Sequence, residues 1–261
     1  MFKTRLITSF VGIPLLLAIL YQGGWYWKGF FVLLAIMGLF EFNRMIINRG
    51  HKVLQLPGYF LLLILLLGAD YPQYTLPGIY LFLVMTLLYF VLGYPRFLPL
   101  DLAWTLLGSS YIGFLLSYAI QIADLSQPFL IILLAFLLTW ASDVGGYLFG
   151  SVWGKHKMSP LLSPGKSWEG AAGSLLLSLL VSLAFFKLLD LGQLGISPVV
   201  LLGVAASILA QCGDLFISGI KRYSAVKDTG KIIPGHGGVL DRFDAFLLVV
   251  PVVYYFFVYW G

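Results

Sequence analysis

FLIILLAFLLTW, residues 129–140, is an unbroken apolar run without alternation between polar and apolar side chains. A strand of a membrane barrel alternates at every second residue, so a run of this kind excludes a barrel. A bilayer admits only helix bundles and closed barrels as spanning structures, because each backbone polar group must be paired internally. The stretch therefore decides for helices. LITSFVGIPLLLAILY at 6–21 reads the same way.

The remainder of the 261-residue chain agrees, with 60% hydrophobic and 10% charged residues. A soluble domain carries roughly 25% charged residues. The chain reads as an all-α polytopic membrane protein whose partner along most of its surface is the lipid bilayer. The lone Cys212 excludes an internal disulfide and says nothing about compartment. The net charge of +5 would suit nucleic acid in a soluble protein. Beside a membrane it reads as a cytoplasmic excess of Lys and Arg, and no nucleic-acid partner is expected. The N-terminal MFKTR before an apolar run looks like a signal peptide, yet no small-x-small site follows, so an uncleaved first span is expected.

A helix needs about 20 apolar residues to cross the hydrocarbon core. Such windows fall at about 6–22, 29–47, 54–69, 76–93, 102–123, 129–149, 171–189, 196–217 and 243–260, of which 54–69 is the shortest. About nine transmembrane helices are expected. With the N-terminus in the cytoplasm, all 16 Lys and Arg residues except Lys28 and Lys187 fall inside. Two long hydrophilic loops, about 150–170 and 218–242, would then face the cytoplasm.

Charge is concentrated in Gln211–Asp244, QCGDLFISGIKRYSAVKDTGKIIPGHGGVLDRFD. It holds four of the eleven acids, five of the sixteen bases and one of the three histidines. Gln211, Asp214, Ser218 and Lys221/Arg222 recur at three- and four-residue spacing, one stripe of a helix. An intramembrane carboxylate needs a cation, a metal or water. An ion pair with Lys221 or another span would satisfy Asp214. The hydroxyl of Ser218 one turn on favours a hard metal such as Mg²⁺. PGHGG at 234–238 lets backbone N–H groups turn toward an anion, although such a loop is as often a simple turn. Asp241 and Asp244 share one helix face, where one of them can serve as an N-cap. Arg242 points elsewhere, toward phosphate or headgroup.

On the sixth span, Asp143 has Ser142 beside it and Gly145 and Gly146 to permit close helix approach. SPGKSWEG at 163–170 echoes a Walker-type GKS, but the spacing fails and no strand is expected ahead of it, so no P-loop is read. Lys155, Lys157 and Lys166 either funnel an anion or are ordinary positive-inside charge. Glu41, Asn43 and Arg44 are expected to snorkel or pair without chemistry. Asp70, Asp101, Asp124 and Asp190 are expected to be solvated at span edges.

These residues resemble the signature of the phosphatidate cytidylyltransferase (CDP-diacylglycerol synthase) family. It is carried by Ser218, Ile220, Lys221 and Arg222, then Lys227, Asp228 and Gly230. It continues with Ile233, Pro234, His236, Gly237, Gly238 and Val239, and closes on Asp241, Arg242, Phe243 and Asp244, without a departure. Gln211–Asp214 and the Asp143…Ser163–Gly170 block also look like the family. The resemblance covers roughly 139–251; the first five spans match only as generic helices. It divides the chain into generic N-terminal membrane helices, 1–128, and a catalytic membrane region, 129–261, with the signature at 218–244.

The resemblance implies conversion of CTP and phosphatidate to CDP-diacylglycerol and pyrophosphate, in phospholipid biosynthesis. It also implies a homodimer in the cell (inner) membrane with its active site on the cytoplasmic side, in a cytosol-facing polar cavity. It implies Mg²⁺, a second cation being left open, held by Asp214 and Asp241, then Asp244, with Ser218 supporting. Lys221 and Arg222 would act with these aspartates as catalytic residues. Asp143, Lys166, Ser167, Lys227, Lys231, His236, Gly237, Gly238 and Arg242 would meet substrate. A CTP-using polyprenol kinase is the competing enzyme reading. A CDP-alcohol phosphotransferase fits less well, since its D-G-x-x-A-R pattern is absent. A transporter is disfavoured because the acids cluster at one face and no internal repeat is found.

Overall fold

The computed structural model describes residues 2–188, 195–235 and 237–260. Nine α-helices run through them: α1 (Phe2–Gln22), α2 (Gly24–Asn48), α3 (Gln55–Leu67), α4 (Pro72–Gly93), α5 (Pro99–Gln121), α6 (Pro128–Trp153), α7 (Trp168–Leu188), α8 (Ile196–Tyr223) and α9 (Leu240–Trp260). Seven of them, α2 and α4–α9, are long and apolar enough to cross a bilayer. α3 has 13 residues, about 20 Å at 1.5 Å per residue, against a hydrocarbon core of about 30 Å. The apolar part of α1 is also short, Phe10–Gln22. The all-helical membrane fold expected from the apolar runs is therefore present. Several helices begin earlier than their apolar windows, at Pro72, Pro99 and Pro128. Proline suits the first helical turn, where its missing N–H has no partner to lose.

One element was not foreseen. Lys157–Ser159 (β1) pairs antiparallel with Ser163–Ser167 (β2), ahead of α7. The SPGKS segment thus forms a strand itself and follows another, which corrects the expectation that no strand precedes it. Ser, Pro, Gly and Lys are poor strand formers, so propensity gives no warning of it.

The chain forms two compact units. The first comprises residues 1–124 and 220–242, the second 125–219 and 243–261. In the first, Trp27 Nε1 on α2 donates to the Ala119 carbonyl of α5 at 2.7 Å. Asp101, expected to be solvated, is buried; its carboxylate accepts from Lys52 N at 2.8 Å and Leu98 N at 2.9 Å. The correction has a local cause: the acid accepts from the backbone N–H of Leu98, the residue before α5, and of Lys52 in the loop before α3. Asp70 pairs with Lys28 at 2.5 Å, Asp124 is exposed, and Asp190 lies outside the described residues. α4 buries only Phe82 and Thr86. An apolar helix exposed nearly all round suits lipid as its solvent.

In the second unit α6 and α7 pack through small residues. A Cβ on Gly145 would strike the Gly173 carbonyl, and one on Gly146 would lie 2.8 Å from Ser174 Oγ. Ser174 Oγ donates to the Ser142 carbonyl at 2.7 Å. Small side chains let membrane helices approach closely enough for such contacts. α8 meets α9 in the same way, since a Cβ on Gly213 would strike the Asp244 carbonyl.

Gly145→Val is expected to lower the thermal midpoint of the detergent-solubilised protein, by overpacking worth about 1–3 kcal/mol. Gly29→Ala, where a Cβ meets nothing within 4 Å, is expected to leave it unchanged. Differential scanning fluorimetry on the two variants decides it.

Candidate functional site

Two polar centres stand out, one in each unit. In the second unit the C-terminal half of α6, β2, the start of α7 and α8 enclose a cavity of about 280 Å³. Its walls include Ser142, Asp143, Tyr147, Lys166, Ser167, Gln211 and Asp214. That volume sits near the lower end of ligand pockets, roughly 300–1,000 Å³. The close α6–α7 packing brings Asp143 and Ser142 to the same cavity as Lys166 and Ser167. Four of the residues expected to act, Asp143, Lys166, Ser167 and Asp214, thus share one site.

Asp214 has a counter-ion there. Lys166 Nζ lies 2.6 Å from Asp214 Oδ2, and both side chains remain partly exposed. Lys166 also donates to the Gln211 carbonyl at 3.3 Å. Ser218 Oγ donates to Asp214 Oδ1 at 3.4 Å, a long and weak bond. The stripe along α8 is real, since α8 is one helix through Tyr223. Asp214 nevertheless pairs with the β2 lysine, not with Lys221. Ser167 is buried and its Oγ accepts from Gly170 N at 3.2 Å, which fixes the entry into α7. Asp244 is buried in this unit, with Oδ1 accepting from Ala245 N at 2.8 Å.

The centre of the first unit is built around Asp241. Lys221 Nζ donates to Asp241 Oδ1 at 2.8 Å. Oδ2 accepts from Thr229 N at 2.8 Å and Gly238 N at 3.0 Å, with Thr229 Oγ1 at 3.1 Å. Gly237 must be glycine here: its φ is +88°, and a Cβ would lie 2.8 Å from Asp241 Oδ2. Ile233 N donates to the Gly237 carbonyl at 2.9 Å, closing the turn. His236 lies outside the described residues. Arg222, Lys227, Lys231 and Arg242 are exposed.

Sequence reading missed two members of this centre. Glu41, expected to snorkel or pair without chemistry, is buried, with 1% exposure. It accepts from Thr229 Oγ1 at 2.8 Å, Val239 N at 2.9 Å and Leu240 N at 3.0 Å. Thr229 is buried between the two carboxylates. The available signal was Glu41 itself, an acid within an apolar helix, which marks a functional site by default.

The donor chemistry admits magnesium around Asp214. Mg²⁺ takes hard oxygen ligands, usually one or two carboxylates completed by substrate phosphates. Asp214, Asp143 and the Ser218 hydroxyl are of that kind. Asp241 is already well supplied, and a cation on Oδ1 would require Lys221 to leave. Among the described residues no three His, Cys, Asp or Glu side chains gather as a ready-made cage.

Residues 3–260 match the Cytidylyltransferase family. The chain belongs to that family. It is similar to the phosphatidate cytidylyltransferase of Staphylococcus epidermidis, 37% identical over 258 residues, covering 96% of this chain and 97% of that one. The proteins of the same name from Staphylococcus haemolyticus, over 260 residues, and Staphylococcus aureus, over 263, are also 37% identical, with the same coverage. The match runs through the first five helices as well, which by sequence reading had looked generic.

The first centre yields a stability test. Lys221→Met leaves a buried carboxylate without its cation, a loss expected to be about 3–5 kcal/mol. Adding Asp241→Asn removes the stranded charge and should restore much of the thermal midpoint, but not activity. A double variant as unstable as Lys221→Met would contradict the pairing.

Proposed function

We propose that this chain is a phosphatidate cytidylyltransferase, joining CTP and phosphatidate to give CDP-diacylglycerol and pyrophosphate in phospholipid biosynthesis. The observation that carries this is the 37% identity to proteins of that name across 97% of their length. The complete charged signature from Ser218 to Asp244 supports it.

The chemistry asks little covalent work of the protein. The phosphate of phosphatidate is itself the nucleophile; one of its oxygens bonds to the CTP α-phosphorus as the bond to pyrophosphate breaks. Rate comes from in-line positioning and from opposing the charge that gathers on the leaving group. The two substrates bring about five to six negative charges, taking a phosphate monoester as near −1.5 to −2. Lys166 stands at the cavity beside Asp214 and can exchange that carboxylate for a substrate phosphate. Lys221, held by Asp241, is a further candidate to meet substrate phosphate. The exposed Arg222, Lys227, Lys231 and Arg242 supply positive potential for a triphosphate arriving from water. Asp143 and Ser167 shape the cavity wall, and Gly237 and Gly238 keep the signature loop close to Asp241. Asp244 is buried in the second unit, its backbone carbonyl against Gly213 of α8.

Magnesium is the cofactor we propose, with Asp214 as its first ligand, Ser218 supporting and Asp244 next, while Asp241 could take a cation only on release of Lys221. When bound it would neutralise phosphate charge and polarise the phosphorus under attack. The finer arrangement is our reading of the distribution of Lys and Arg: about nine crossings, counting the short α1 and α3, with the N-terminus in the cytoplasm and the chemistry on the cytoplasmic face of the inner membrane. The homodimer rests on the family resemblance.

Purified protein in mixed micelles is expected to release pyrophosphate from CTP only when phosphatidate and a divalent cation are both present. Asp214→Asn should lower kcat by roughly ten- to a hundredfold or more with folding intact. Undiminished turnover in excess chelator would overturn the metal assignment, and phosphatidate-independent turnover would overturn the reaction.

A further inference from the structure

We infer that Glu41 is a positioning residue for the Asp241–Lys221 pair, acting through Thr229 and the first N–H groups of α9. The inference rests on the cytidylyltransferase reading for its activity readout, and on geometry within one unit for its content. A helix begins with N–H groups that have no intrahelical partner. The residue before α9 is Val239, whose side chain has no oxygen to cap them. The chain meets the need from 198 residues away: Glu41 Oε1 accepts from Val239 N and Oε2 from Leu240 N. A carboxylate is the favoured charge at that helix end.

Thr229 joins the two acids. Its hydroxyl lies 2.8 Å from Glu41 Oε2 and 3.1 Å from Asp241 Oδ2, while its backbone N–H donates to Asp241 at 2.8 Å. A hydroxyl has one proton to give. The shorter contact assigns it to Glu41, and the N–H serves Asp241. Glycine at 230 and 238 makes room, because a Cβ at either would strike the Glu41 carboxylate. Asp241 draws its donors from Thr229 and Gly238, the two segments that Glu41 pins. The direction of Asp241 Oδ1, and of the lysine it holds, is thereby set by an acid on α2.

The test compares Glu41→Gln, Thr229→Val and Thr229→Ser, with turnover of CTP and phosphatidate expressed per folded molecule. Gln is isosteric but turns an NH₂ toward a donor. Glu41→Gln is expected to lower kcat roughly ten- to a hundredfold, the scale of a displacement near 1 Å. Thr229→Val should fall in the same direction and Thr229→Ser should retain activity. The Glu41→Gln/Thr229→Val double variant should be no slower than the slower single, since both act through one linkage. A purely structural role would instead reduce the yield and thermal midpoint while leaving kcat per folded molecule unchanged. If Glu41→Gln does not fold, Thr229→Val carries the test alone, and unaltered kcat there overturns the inference. Multiplicative losses in the double variant also overturn it. An inactive wild type would strike the parent reading instead, so the two failures are distinguishable.

Discussion

A carboxylate surrounded by hydrocarbon must be met by donors, and that constraint organises the polar parts of this protein. Moving an unpaired charge into such surroundings is costly enough that the group would be neutralised or excluded. Asp241 is supplied by Lys221, Thr229 and Gly238. Glu41 is supplied by Thr229 and the first N–H groups of α9. Asp101 does the same for the start of α5. Asp214 differs, because its lysine partner is partly exposed at a cavity and can be exchanged. The buried acids build the frame, and the accessible one sits where a ligand can enter.

That distinction orders the roles of the aspartates. Asp241 is held by several donors and in turn holds a cation; its first effect is to fix Lys221. Asp214 and Asp143 border the cavity with Lys166, giving both signs of charge to a space that can hold a phosphate group and an ion. α8 contributes to both centres, Asp214 in the second unit and Lys221 in the first, seven residues apart on one helix.

Much of the fold was legible because hydrocarbon is a strict solvent. Each of the nine apolar windows became a helix, and 54–69, the shortest, became the 13-residue α3. Helix ends were less legible, since prolines and polar caps extend a helix past its apolar run. The β1–β2 hairpin was hidden because its residues have little strand propensity and pair only through tertiary placement. In the site, the α8 stripe and the cavity residues Asp143, Lys166 and Ser167 could be named from pattern. Their partners could not: nothing local shows that Asp214 takes Lys166, or that Glu41 caps a helix 198 residues later. Charge and hydropathy reveal that a buried acid needs a donor, but only the fold says which.

The central claim is the transfer of a cytidylyl group to a lipid phosphate. It is tested most directly by incubating the purified protein with phosphatidate and CTP labelled either in the cytidine or at the γ-phosphate, then extracting the lipid. Label from cytidine in the lipid phase, with the γ-label left in water as pyrophosphate, is the predicted result. Lipid labelled from the γ-phosphate would show a kinase instead and contradict the account.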